Sequence, residues 1–170
     1  WTLSRGLGDV YKRQVFTSAN SQIILSNDST ICGVFGYDLQ AVSSTSTGIT
    51  SDDTHGSAIP IGFTFNFYGT NYTQCVVSGN GYVTFDLSQA NQYSPWAINA
   101  PIPNPGNVPQ NAIMAPWQDI DPGPPAGGSI TYGTIGTAPN RMFLVTWCAV
   151  PMFSCNSDLH TSQILSLIHI

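Results

Sequence analysis

The chain has 170 residues, enough for one domain, and only 8% of them are charged against about 25% in an ordinary domain. Hydrophobic content is ordinary at 42%, which excludes the highly charged class of disordered chain. Between Val15 and Ile164 a single Arg faces eight Asp, a net charge near −7, so the clustered Lys and Arg needed for nucleic acid or an anionic membrane surface are absent.

The first fourteen residues, "WTLSRGLGDVYKRQ", do not match the rest of the chain, because they hold three of the four basic residues. They resemble translated sequencing-adaptor sequence, and the final "LSLIHI" resembles the matching scar. We therefore expect residues 1–14 and 165–170 to be non-native, with both true termini missing. Residues 15–57 come next as short N-terminal strands ("QIIL", "ICGVFGYDLQAV") and a Ser/Thr-rich linker, "SSTSTGITSDDTHG", which has turn formers and no periodicity.

From Ala58 the pattern sharpens. "IPIGFTFNFYG" sets Ile61, Phe63, Phe65 and Phe67 on one face of a half-buried strand. "QCVVSGNGYVTFDL" then places Asn-Gly between two β-rich runs, a strong hairpin signal because both residues tolerate positive φ. Residues 88–110 are rich in proline, which removes ladder donors, and read as a long excursion. "AIMAPW", "GGSITYGTIG" and "NRMFLVTW" are the next strands. All nine acidic residues are Asp, a turn former, and no stretch repeats apolar residues at helical spacing. The expected fold is all-β, an antiparallel β-sandwich of jelly-roll or immunoglobulin-like type, C-terminally truncated, over residues 58–164.

Few residues carry chemistry. Asp119 and Asp121, in "WQDIDPG", lie two apart and share a face if extended. They are either ligands for calcium, which takes such oxygens, or turn residues that hydrogen-bond nearby amides before Pro-Gly. Paired carboxylates for glycoside hydrolysis are the weakest reading, since such pairs sit across a cleft. No nucleophile elbow, phosphate loop or dinucleotide fingerprint occurs, so no catalytic residue and no cofactor other than calcium is expected. Tyr93 and Trp96, in the Pro-rich excursion, are candidates for a stacking platform, with core packing the alternative for Trp96. Trp117 and Trp147 read as core. The four cysteines include no Cys-x-x-Cys, which argues against zinc, and Cys148 and Cys155 could close a small loop as a disulfide in an oxidising compartment; reduced, buried thiols are the alternative.

Four segments in order, "IPIGFTFNFYGTNYTQCVVSGNGYVTF", "NAIMAPWQDIDP", "GGSITYGTIGTAPNRMFLVTW" and "VPMFSC", resemble a β-sandwich module of large secreted or surface-anchored proteins of Bacteroidetes-type bacteria. More distantly they are similar to the extracellular nidogen-like domain, in which a Trp-x-Asp-x-Asp segment precedes a Gly-x-Val-Tyr-Tyr strand. The resemblance implies an extracellular or cell-surface, non-enzymatic adhesion or recognition module. Its ligand would be a glycan or protein, with neighbouring domains of the same chain as further partners, no nucleic acid and no membrane insertion. It implies no catalytic residue, and makes Trp117 to Asp121 a strand-end feature. The alternative function is an accessory carbohydrate-binding module attached to a secreted hydrolase.

Overall fold

The structure is a computed structural model that describes residues 16–19, 22–25, 44–97, 101–102, 108–123 and 127–167. The expected scar at residues 1–14 and the apolar piece at 31–42 lie outside the described residues. The chain divides into two compact units, Trp1–Ser43 and Ser44–Ile170. In the first, β1 (Phe16–Ala19) and β2 (Gln22–Leu25) form an antiparallel hairpin with Ala19 opposite Gln22.

The second unit is two four-stranded antiparallel sheets, consistent with the expected sandwich. One has the order β4 (His55–Phe67), β5 (Thr70–Ser78), β6 (Tyr82–Thr84), β7 (Ala112–Met114). The other has the order β10 (Cys155–Leu167), β9 (Met142–Met152), β8 (Ser129–Ile135), β3 (Thr45–Ser46). The unit thus begins ahead of Ala58: the Ser/Thr-rich stretch contributes β3, the buried Ile49 and the start of β4.

The turns of the β4–β5 and β5–β6 hairpins have local causes. Tyr68 and Gly69 both adopt positive φ (46° and 82°), the signature of a two-residue turn whose twist matches its strands. At the Asn-Gly signal the loop is three residues, Gly79 to Gly81, with positive φ at Gly81 alone (82°). A Cβ at Gly81 would stand 2.6 Å from the Pro116 carbonyl oxygen, so both backbone and space require glycine.

The alternation expected in β4 and β9 decides what is buried. Ile61 and Phe63 from β4, Cys75 and Val77 from β5, Val83 and Phe85, and Phe143, Val145 and Trp147 from β9 form the core between the sheets. Each such aliphatic or aromatic side chain contributes about 1.5–3 kcal/mol by leaving water. Trp147 is fully buried and donates its indole N–H to the Ser78 carbonyl at 2.9 Å, bonding one sheet to the other. β4 loses ladder register between Pro60 and Phe65, around Gly62 (φ 84°). The carbonyls freed there are met from the opposite sheet, by Thr134 Oγ1 on Ile61 (2.7 Å) and by Arg141 on Gly62 (3.0 Å).

The first sheet is buried on its outer face as well. Tyr82, Val108 and Trp117 form a second small core there, with Ala112 and Met114 packed against it. The Pro-rich excursion therefore lies over a sheet face, and every residue of β6 is buried.

The disulfide expected between Cys148 and Cys155 is not formed; both are free, exposed thiols, and Cys75 is a free buried one. The segment between them is no small loop. β9 continues through Cys148 to Met152 and turns into β10, where Cys155 stands opposite Met152. Cys148 is four residues back along β9, on the order of 13 Å at about 3.3 Å per residue, beyond the ~4.4–6.8 Å a disulfide spans between Cα atoms. β10 also takes in Leu165, Ser166 and Leu167, expected to be non-native, which pair with Leu144, Phe143 and Met142.

Candidate functional site

The chemistry-bearing residues gather at one end of the sandwich around Asn80, at the tip of the β5–β6 turn. Its side chain has no exposure and makes three bonds. The amide Nδ2 donates to Asp53 Oδ1 (2.9 Å) and to the Ser94 carbonyl (3.2 Å), and Oδ1 accepts from the Ile120 N–H (3.3 Å). One amide therefore ties the loop before β4, the Pro-rich excursion and the strand-end segment after β7.

Beside it runs a hydrogen-bonded chain of buried groups. His55 Nδ1 faces the Gln92 carbonyl at 3.3 Å. A carbonyl only accepts, so Nδ1 carries the proton and Nε2 accepts from the Tyr82 hydroxyl at 2.8 Å. Tyr82 in turn contacts Ser94 Oγ (3.1 Å), and Ser94 contacts Ser78 Oγ (2.6 Å). Burial pushes the His55 imidazole below its ordinary pKa, against the opposing influence of the Gln92 and Tyr93 backbone and of Asp86, and pushes Tyr82 up to about 12. The imidazole is neutral at neutral pH and both its nitrogens are committed.

The same bonds hold the stretch that carries the expected platform. The Gln92 carbonyl accepts from the His55 backbone N–H (2.9 Å), the Ser94 N–H donates to Asp53 O (2.7 Å), and Thr54 bridges Tyr93. Tyr93 is 59% exposed and Trp96 41%. Trp117 and Trp147, by contrast, are core residues as expected. Tyr93 lines a cavity of about 180 Å³ between the outer face of the sheet (His55, Tyr82, Thr84) and the excursion (Pro95 and Val108 to Gln110), with Asp86 and Gln89 also in its lining.

Asp119 and Asp121 have separate roles. Asp121 Oδ1 accepts the Gly123 N–H at 2.7 Å, the turn role. Asp119 instead joins Asp52 and Asp53, with one carboxylate oxygen from each of the three within 4.8 Å of the others. These oxygens are the donor set calcium takes, and the three residues are those that could hold one. Burial, then Asp53, Asp121 and Asp119, pushes Asp52 up to about 6, and burial, then Asp53 and Asp121, raises Asp119. Among the described residues Arg141 is the one Lys or Arg, and it lies over Phe63 and on the Gly62 carbonyl. Among the described residues the crowded carboxylates thus have no countercharge.

Sequence reasoning missed Asp52, Asp53, Asn80 and His55. The two aspartates sit in a stretch that reads as linker, and Asn80 reads only as a turn residue. A Gly-Asn-Gly that supplies the hairpin turn gives no sign that its side chain joins three segments.

Comparison of the chain with curated proteins and with solved structures returns no match. A family model described as NIDO related matches residues 35–166, more than half of the chain, in agreement with the nidogen-like resemblance of the strand-end and hairpin segments. The chain belongs to the NIDO-related family.

Proposed function

We propose that this chain is a non-enzymatic recognition module of an extracellular multidomain protein, and that it meets its ligand with Tyr93 and Trp96. NIDO-related domains are extracellular-type modules, which supports the setting. The observation that carries the reading is the pair itself. Two large aromatics stand half exposed on a loop fixed to the sandwich by His55, Asn80 and Asp53. Rigid exposed aromatics give contact area with little ordering cost on binding.

A binding role is further supported by the group nearest to a catalytic triad. His55 has both nitrogens committed, and Ser78 and Ser94 have no exposure, so neither serine hydroxyl is open to a substrate. Among the described residues no helix is long and apolar enough to cross a membrane. The free cysteines lend no support to an oxidising compartment. Membership of a secreted or surface-anchored protein from Bacteroidetes-type bacteria rests on the four resembling segments alone.

The ligand is a glycan or a protein. The recessed cavity beside Tyr93, whose walls mix polar and apolar groups, favours the glycan, and with it the role of an accessory carbohydrate-binding module. Calcium at Asp52, Asp53 and Asp119 would bind the loop before β4 to the strand-end segment. Glycan-array binding by the folded chain tests the central reading. Trp96→Ala should abolish the signal with the melting temperature unchanged, and binding that survives both Trp96→Ala and Tyr93→Ala removes the platform.

A further inference from the structure

The cavity beside Tyr93 holds one formal charge in its described lining, the carboxylate of Asp86. That carboxylate is fixed in place as the cap of the short 3-10 turn Leu87–Gln89. Oδ1 accepts from the Ser88 N–H (3.0 Å) and the Ser88 hydroxyl (2.7 Å). Oδ2 meets only the Gln89 amide, at 3.4 Å, and so keeps lone pairs for a ligand. The Ser88 hydroxyl, ahead of any other influence, holds the Asp86 carboxyl below its ordinary pKa, so it is ionised at neutral pH. The His55 imidazole beside it is neutral.

The surroundings add charge of the same sign. Asp53, Asp119 and Asp52 all act on the Tyr93 hydroxyl at the mouth, and no Lys or Arg is in the described lining. A ligand that brings positive charge and hydrogen-bond donors therefore matches the cavity, and one that brings negative charge is repelled. At about 180 Å³ the space is below the ~300–1,000 Å³ of sites for drug-sized ligands, so it takes one small ring or the end of a chain. Its walls alternate polar and apolar groups, Tyr82, Thr84, Gln89 and Tyr93 among prolines and Val108. A lysine side chain asks for an apolar tube; a pyranose, with hydroxyls at its edge and C–H groups on its faces, fits such a mixture.

We propose that this cavity binds a terminal amino-sugar residue, with Asp86 as partner for its protonated amine and Tyr93 against its ring. The proposal rests on the glycan reading above and narrows it to an end-on site for a cationic sugar. Calorimetric or NMR titration of the whole chain at pH 6.5 tests it with glucosamine, N-acetylglucosamine and glucose. Glucosamine should bind at least about tenfold more tightly than its N-acetyl form, and the advantage should shrink at high salt. Asp86→Asn should remove that preference while the melting temperature holds, because Asn caps as well as Asp.

Equal binding of all three sugars overturns the amine pairing and leaves the glycan reading standing. Glucosamine that does not bind, beside a glycan-array signal still sensitive to Trp96→Ala, overturns the cavity site alone. Loss of both signals overturns both readings. Nα-acetyl-lysine amide binding as tightly as glucosamine would reassign the cavity to a protein partner.

Discussion

Asn80 is the residue whose removal should cost most for its size. Asn80→Ala deletes the bond to the Asp53 carboxylate, the bond to the Ser94 carbonyl and the acceptor for the Ile120 N–H. A bond to a charged group contributes about 1.5–3 kcal/mol, and each neutral one about 0.5–1.5 kcal/mol. The sum is roughly 2.5–6 kcal/mol, a large part of the ~5–15 kcal/mol that stabilises a domain. Asn80→Asp is the sharper probe. It keeps the shape and the acceptor but turns the donor toward Asp53 into a second carboxylate, buried and without a Lys or Arg partner among the described residues. The introduced carboxyl should be driven to its neutral form, with a folded-state pKa above the unfolded one. Its contribution is then most favourable below the unfolded value near 3.9 and is lost as pH rises through the folded value. Urea unfolding followed by the fluorescence of the buried Trp147 and Trp117 measures both variants. Asn80→Asp should be less stable than Asn80→Ala at pH 7.5 and recover at pH 4.5. A loss under about 1 kcal/mol for Asn80→Ala, or an Asn80→Asp variant indifferent to pH, would refute Asn80 as the joint between the three segments.

Other consequences are open to simpler measurements. Asp52, raised to about 6, contributes stability that is full below its unfolded value near 3.8 and is lost as pH rises through about 6. Asp52→Asn should therefore stabilise at pH 7.5, by on the order of 1 kcal/mol after solvent screening, and its gain should vanish at pH 4; thermal melts at both values check this. Calcium at 100 times its Kd should add about 2.7 kcal/mol, seen as a higher melting temperature than in chelator. Asp119→Asn should erase that shift and Asp121→Asn should not; no shift in the parent chain removes calcium from the site. Trp147→Ala should cost roughly 3–5 kcal/mol in urea unfolding, whereas Trp96→Ala should stay within about 0.5 kcal/mol.

The resemblance to a nidogen-like domain came from ordered local signals. "IPIGFTF" shows the two-residue period of β4 directly, and Gly-Asn-Gly supplies the Gly81 that the close approach of Pro116 requires. β10 offers no such signal. Its first nine residues, Cys155 to Gln163, include one large aliphatic, Leu159, and the strand forms because β9 offers a free row of backbone groups to pair with. The cysteine pairing failed for the same reason: spacing of seven residues suits a loop, but the segment is a hairpin that carries Cys155 to its tip and leaves Cys148 up the ladder.

What the amino-acid sequence alone determined is the all-β class, most of the strands and the aromatic core, because strand period, turn residues and proline act within a few positions. What only the tertiary structure decided is the site. Asp52 and Asp53 reach Asp119 across 67 and 66 positions, and His55, Tyr82 and Ser94 converge from three segments. Hydrogen bonds and charge depend on distance in space, and in a sheet protein that distance is set by strand pairing and by which segment folds over which face.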